Sequence, residues 1–257
     1  MNVFVMVDME GISGICKSVQ VSEGEPYQVG RKYLVQDVNA CVEGCILGGA
    51  KKIVVRDAHW QGFNFIFQDL HPGAEYVQGS TARERIPNID DFDGLILLGY
   101  HAMAGTPEAI LEHTMSSRGW QNFWINGVKS GELAIDAGIA GDHGVPVIMV
   151  SGDDKCCREA KRFFKDVVTV PVKKGLDVEG GQLLSLPEAH ERIRKGAQEA
   201  CRQYKRFKPY KVRRPVTMRL ELVSRGKVPV HRRDVKVIDG RTYEVTGRTV
   251  EEALRML

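Results

Sequence analysis

Val3-Phe4-Val5-Met6-Val7-Asp8-Met9-Glu10-Gly11-Ile12-Ser13-Gly14 opens the chain with five consecutive apolar residues that stop at a pair of carboxylates. An unbroken apolar run of this kind fits a strand buried on both faces, as in a parallel sheet covered by helices. Residues i and i+2 of an extended chain point the same way, so Asp8 and Glu10 can converge on one point at the strand's end. Carboxylates that close repel and raise each other's pKa, which a cation between them reverses. The pair therefore reads as metal-ligating. On this segment alone a plainer reading competes, an Asp that starts a turn with a solvated Glu nearby.

Working outward, strand-like runs recur at residues 53–56, 95–98 and 145–150. Between them lie helical patterns: residues 31–47, closed by Gly48-Gly49, then 132–141, then a helix that Asp153 caps and that ends among Lys161, Arg162 and Lys165. Strands alternating with helices predict an α/β fold, an open, mostly parallel sheet flanked by helices. Residues 61–91 are less regular, with a turn at His71-Pro72-Gly73 and one short strand near residues 75–77. Asn126-Gly127, between Phe123-Trp124-Ile125 and Val128, is a hairpin turn. The composition changes near Lys173. Residues 186–207 read as one amphipathic helix opened by Ser185 and Pro187, followed by strands at 216–223, 235–238 and 242–246 and a short terminal helix. The expected organisation is a metal-binding catalytic α/β domain over residues 1–170 and a second, smaller basic α/β domain over residues 171–257.

At 257 residues and 43% hydrophobic, the chain can bury a substantial core, and a net charge of +3 does not describe a general polyanion binder. Residues 192–236 nevertheless hold 16 Lys or Arg against three acids, Glu199, Glu221 and Asp234. The six cysteines, Cys16, Cys41, Cys45, Cys156, Cys157 and Cys201, show neither zinc-finger spacing nor the density of a disulfide scaffold. No basic segment precedes the first strand and no apolar stretch approaches a membrane span, so the expected location is cytoplasmic, with no membrane partner.

Ligands of open α/β sheets bind at the carboxyl ends of the strands. There the sequence offers Asp8 and Glu10, then Arg56-Asp57-Ala58-His59, then Gly99-Tyr100-His101, and the helix start Ser130-Gly131-Glu132. Each of these alone has a bland explanation, a loop histidine or an acid in a first helical turn. Together, Asp8, Glu10, His59, His101 and Glu132 form a nitrogen and oxygen ligand set without thiolate. That set suits zinc, with manganese or cobalt nearly as good. Three carboxylates and two histidines exceed the needs of one open catalytic zinc. They match two metals roughly 3.5–4 Å apart sharing a carboxylate and a water, with Asp8 as the natural bridge. His113, in the polar loop Glu112-His113-Thr114-Met115, is a nonligand histidine that could shuttle protons or hold a developing oxyanion. His71, His143, His190 and His231 read as ordinary structural or solvated groups.

The string Val7-Asp8-Met9-Glu10-Gly11-Ile12-Ser13-Gly14, followed in order by Asp57-Ala58-His59, Gly99-Tyr100-His101-Ala102, His113-Thr114-Met115 and Gly131-Glu132-Leu133, resembles the zinc-dependent D-aminopeptidase family encoded in bacterial dipeptide-transport operons. The resemblance runs through residues 1–155 and more loosely beyond. It implies that Asp8, Glu10 and His59 hold one zinc ion, that Asp8, His101 and Glu132 hold the other, and that His113 is catalytic. It further implies a short peptide substrate with an N-terminal D-residue and a ring-shaped homo-oligomer, a decamer. The alternative is a dimetal phosphoesterase or nuclease that uses the basic second domain. The spread of its basic residues and the few aromatics among them favour a solvated or intersubunit face, hence no nucleic-acid partner.

Overall fold

A computed structural model of the protein describes residues 1–82 and 84–257. The chain runs through β1 (Asn2–Val7), α1 (Val19–Ser22), α2 (Gly24–Leu47), β2 (Lys52–Asp57), β3 (Glu75–Val77), β4 (Gly94–Tyr100), β5 (Trp120–Ile125), β6 (Val128–Lys129) and α3 (Glu132–Asp142). It continues through β7 (Val147–Asp153), α4 (Asp154–Phe163), β8 (Val168–Asp177), β9 (Gly180–Leu183), α5 (Leu186–Arg202), β10 (Val216–Leu222), β11 (Lys236–Val237), β12 (Thr242–Gly247) and α6 (Val250–Arg255).

Seven strands form the larger sheet in the order β3-β2-β1-β4-β7-β8-β9, parallel except for the β8–β9 pair. The apolar run of β1 sits near its centre, and alternation sends its side chains into two different cores. Val3, Val5 and Val7 pack with Leu34 and Val38 of α2 and Ile193 and Ala197 of α5. Phe4 and Met6 pack with Leu133 and Ile135 of α3 and with Phe123, Met218 and Val245 of a second sheet. That second sheet is antiparallel, five-stranded, in the order β11-β12-β10-β5-β6.

The helices and strands follow the expected alternation, with shifted ends. The helix expected from residue 31 begins at Gly24, because Pro26 falls in the first turn, where no backbone N–H is needed. The strand expected from residue 145 begins at Val147, since the Val145 N–H donates to Ala140 O and closes α3 instead. Asp153 caps α4 as expected, accepting from the N–H groups of Lys155 and Cys156, whereas Ser185 makes no side-chain cap to α5. The α5 helix stops at Arg202, a short 3-10 turn covers Tyr204–Arg206, and Phe207 turns back into the core. Asn126 and Gly127 both have positive φ, 47° and 79°, as a tight hairpin turn requires. The division expected at residue 170 falls inside β8, which pairs in parallel with β7, while β5 and β6 join the small sheet with β10. Sequence-distant strands complete both sheets, which a linear change in composition does not reveal.

Candidate metal centre

The ends of β1 and β4 are drawn together by backbone contacts that exclude side chains. The Gly11 N–H donates to Gly99 O at 2.7 Å and the Asp8 N–H to Leu98 O at 2.9 Å. A Cβ on Gly11 would lie 2.0 Å from Tyr100 O, and Gly99, at φ +69°, would push one to 2.5 Å from Asp8 O. Glycine at both places lets the Asp8 turn and the His101 turn touch. Beneath the first turn, Lys173 of β8 donates from Nζ to the carbonyls of Glu10, Ile12 and Ile15 at 2.6, 2.9 and 2.7 Å. Asp37 of α2 accepts from the Ser13 N–H and hydroxyl.

All five expected ligands and His113 meet in one cleft. His59 Nδ1 lies 3.0 Å from Asp8 Oδ1 and 3.2 Å from Glu10 Oε2. His101 Nε2 lies 3.3 Å from Asp8 Oδ2 and 3.4 Å from Glu132 Oε1. The two oxygens of Asp8 thus face different histidines. His113 stacks on His101, with ring centres 3.9 Å apart, and its Nε2 stands 3.9 Å from Glu132 Oε1. Two groups with metal-ligand spacing result, Asp8, Glu10 and His59 on one side and His101, His113 and Glu132 on the other.

Each imidazole is fixed through its far nitrogen. His59 Nε2 donates to Val21 O, His101 Nδ1 to Ala102 O and His113 Nδ1 to Leu111 O, at 2.9, 3.0 and 2.9 Å. A carbonyl only accepts, so those nitrogens carry the protons and the near ones turn toward the carboxylates. This is how metal-ligating histidines are held. Glu10 Oε2 and His101 Nε2 are buried without a hydrogen-bond partner, as donor atoms waiting on a cation would be. Burial opposes charge on His59 and His101, yet the facing carboxylates lift both well above the ordinary imidazole range. Burial likewise works to raise Asp8, but the imidazoles of His101 and His59 that face it hold it well below the ordinary carboxylate range. The cleft demands positive charge between its acids. The residues fit divalent metal.

Several contacts that support the cleft were not legible in the sequence. Asp57 accepts from Asn64 and from the His59 N–H, shaping the turn that presents His59. Glu132 Oε1 accepts from the Met115 N–H at 2.7 Å, and Arg85, bound to Asp136, approaches Glu132 Oε2 at 3.6 Å. Among the histidines read as ordinary, His143 pairs with Asp90 and His190 stands 3.3 Å from Asp37.

An α/β sheet that gathers three carboxylates and three oriented histidines at its strand ends defines a hydrolase of the metal-centred kind. The chain belongs to the D-aminopeptidase family of peptidases, whose profile it matches over residues 1–257. It is similar to the D-aminopeptidase of Bacillus subtilis (strain 168), 33% identical over 212 residues that cover 81% of this chain and 77% of the relative. Its fold is similar to that of the Zn-dependent D-aminopeptidase DppA from Bacillus subtilis, described as a self-compartmentalizing protease. The TM-score is 0.94 at 28% identity, covering 99% of this chain and 94% of that one. Membership of a peptidase family does not favour the phosphoesterase alternative.

Proposed function

We propose that the protein removes the N-terminal residue of short peptides, with a preference for D-residues, at a two-zinc centre. The observation that carries this reading is the set of three imidazoles, each pinned by a backbone carbonyl and aimed at a carboxylate. Asp8, Glu10 and His59 would hold one ion and Asp8, His101 and Glu132 the other; the split of Asp8's oxygens between His59 and His101 supports its shared role. Bound zinc supplies Lewis-acid chemistry at a peptide carbonyl and lowers the pKa of water toward ~7. His113, less enclosed than His101 and held by Leu111 O, has the reach to move a proton at the departing amine or to hold a developing oxyanion. Glu132 keeps its carboxylate fixed through the Met115 N–H and Arg85. The preference for D-residues draws support from the family and from the relative's name. Assembly into a ring, a decamer in the resemblance, draws support from the self-compartmentalizing relative. No helix among the described residues is long and apolar enough to cross a membrane, and a cytoplasmic location is part of the proposal.

The test is release of p-nitroaniline from D-Ala and L-Ala anilides by zinc-reconstituted protein, with zinc per chain measured by elemental analysis. Turnover of the D-anilide well above the L-anilide at two zinc per chain is expected. Preference for the L-anilide sinks the stereochemical part, no release from either sinks the aminopeptidase part, and a stoichiometry of one or zero sinks the two-ion part.

A further inference from the structure

Beside the metal centre lies an open cavity of about 610 Å³, lined in part by Arg56, Trp60, Thr81, Arg85 and Leu254. Two of its lining residues neighbour groups of the centre. Trp60 follows His59 in the chain and is 74% exposed, and Arg85 stands between the cavity and Glu132, 3.6 Å from its Oε2.

The charges of this cavity are unequally satisfied. The Arg85 guanidinium is taken by Asp136, with Nε and NH2 both donating to its carboxylate. Two acids also line the cavity, Glu251 with one oxygen accepting from the Arg85 N–H at 2.7 Å and Glu84 with one accepting from the Asn88 N–H at 3.3 Å. Arg56 differs. Its NH1 donates to the Thr81 hydroxyl and, at 3.4 Å, to Glu84 O, while its Nε is buried without a partner. Among the described residues no carboxylate pairs with it. Burial, and after it the neighbouring Arg85, disfavour the charged form of Arg56. Asp136 and Asp57 act on Arg56 only from beyond ion-pair distance, and a planar guanidinium so placed at the wall of a cavity can take a carboxylate in direct contact.

We propose that this cavity receives the C-terminal carboxylate of the peptide substrate, with Arg56 as its counter-charge, so that the enzyme selects short peptides with a free carboxyl end. The inference rests on the aminopeptidase reading above, which puts the substrate's amino end at the metal ligands. Arg85 lines the cavity and also approaches Glu132, which links the two. A peptide residue extends roughly 3.5 Å, so chains of a few residues reach from one to the other. The exposed face of Trp60 offers an apolar wall to the residues between.

The experiment compares kcat/KM for D-Ala-Gly-Gly and its C-terminal amide, on the wild type, Arg56→Gln and Arg56→Lys. The wild type should favour the free acid by about 10- to 100-fold. Arg56→Gln should lose at least about tenfold more on the acid than on the amide, chiefly through KM, and Arg56→Lys, which keeps the charge without the fork, should fall between. Calorimetric titration of Gly-Gly into the same three proteins reads the subsite without turnover, and Arg56→Gln should weaken that binding. Equal losses on acid and amide, or no preference in the wild type, would overturn the inference while leaving the aminopeptidase reading intact. Hydrolysis of neither peptide by the wild type would remove that reading and the inference together. Should Arg56→Gln fail to fold, the Arg56→Lys comparison and the wild-type preference decide the matter.

Discussion

A histidine's second nitrogen decides what its first can do. In His59, His101 and His113 a backbone carbonyl claims one nitrogen, which leaves the other aimed at Asp8, Glu10 or Glu132. Asp8 sits at the middle of this arrangement, its two oxygens 3.0 and 3.3 Å from different rings. Replacing it should strip both proposed ions of a ligand at once, whereas His59→Ala or His101→Ala should loosen mainly one. Zinc analysis and turnover of Asp8→Ala check this: both ions lost and activity abolished is the expected result, and retention of both with near-normal turnover would refute the shared role. His113 is the opposite case, since it faces Glu132 from 3.9 Å without touching Asp8. His113→Ala should keep its zinc while kcat falls roughly 10²–10⁴-fold, the usual loss for an acid–base group. Loss of zinc in that variant would make His113 a ligand instead.

At the scale of elements, the first turn depends on contacts that span much of the chain. Lys173 reaches it across 163 residues to Glu10 O, and Asp37 across 24 residues to Ser13. Lys173→Met would leave the buried carbonyls of Glu10 and Ile15 without a donor, at about 1–3 kcal/mol each, and would take one of two donors from Ile12 O, which keeps the Ile15 N–H. A drop of about 3 kcal/mol or more in denaturant melts, with weaker zinc retention because Glu10 rides on the turn, is the expected outcome. Wild-type behaviour in both measurements would show that the lysine does not hold the turn. Glu159 of α4 supports the His101 turn in a different way, accepting from the Met103 N–H at 2.8 Å while Oε1 is buried without a partner. Burial raises its pKa from 4.5 to about 7, against that hydrogen bond. Between those two values the folded protein holds a proton that the unfolded chain has lost, so this group's contribution to stability falls as pH rises through the window. Glu159→Gln does not titrate, so the melting temperature of the wild type relative to the variant should decline from about pH 4.5 to 7 and then level. Parallel curves would count against it. These residues also mark the limit of what the sequence discloses. The apolar run of β1, the Asp8–Glu10 pair and the Asn126-Gly127 turn are local patterns with local causes. Lys173, Asp37 and Asp136 acquire their roles only when β8, α2 and α3 come together, and nothing in their own neighbourhoods announces it.

For the whole molecule the open question of the sequence was the basic run at residues 192–236, with its local excess over three acids. Phosphate-tracking surfaces keep their cations free and aligned. Here eight of the 16 basic residues lie in ion pairs with carboxylates of the same chain among the described residues. Several of those partners fall outside the run, Asp142 of α3, Glu188 and Glu191 of α5 and Glu244 of β12. The cations are divided between the α5 side of the large sheet and the β10 side of the small one, so they do not form a single stripe. Each exposed pair contributes only ~0–1 kcal/mol to stability, yet together they lower the field a polyanion would meet. The aromatics nearby are engaged too, Arg206 over Phe207 and Arg219 over Trp124. The run should therefore serve solubility and subunit contacts and should not bind nucleic acid. Labelled single- and double-stranded DNA titrated across a salt series should show no submicromolar affinity near physiological ionic strength. Tight binding that weakens linearly in log K against log salt, with a slope reporting several displaced counterions, would contradict this and return the basic face to a functional role.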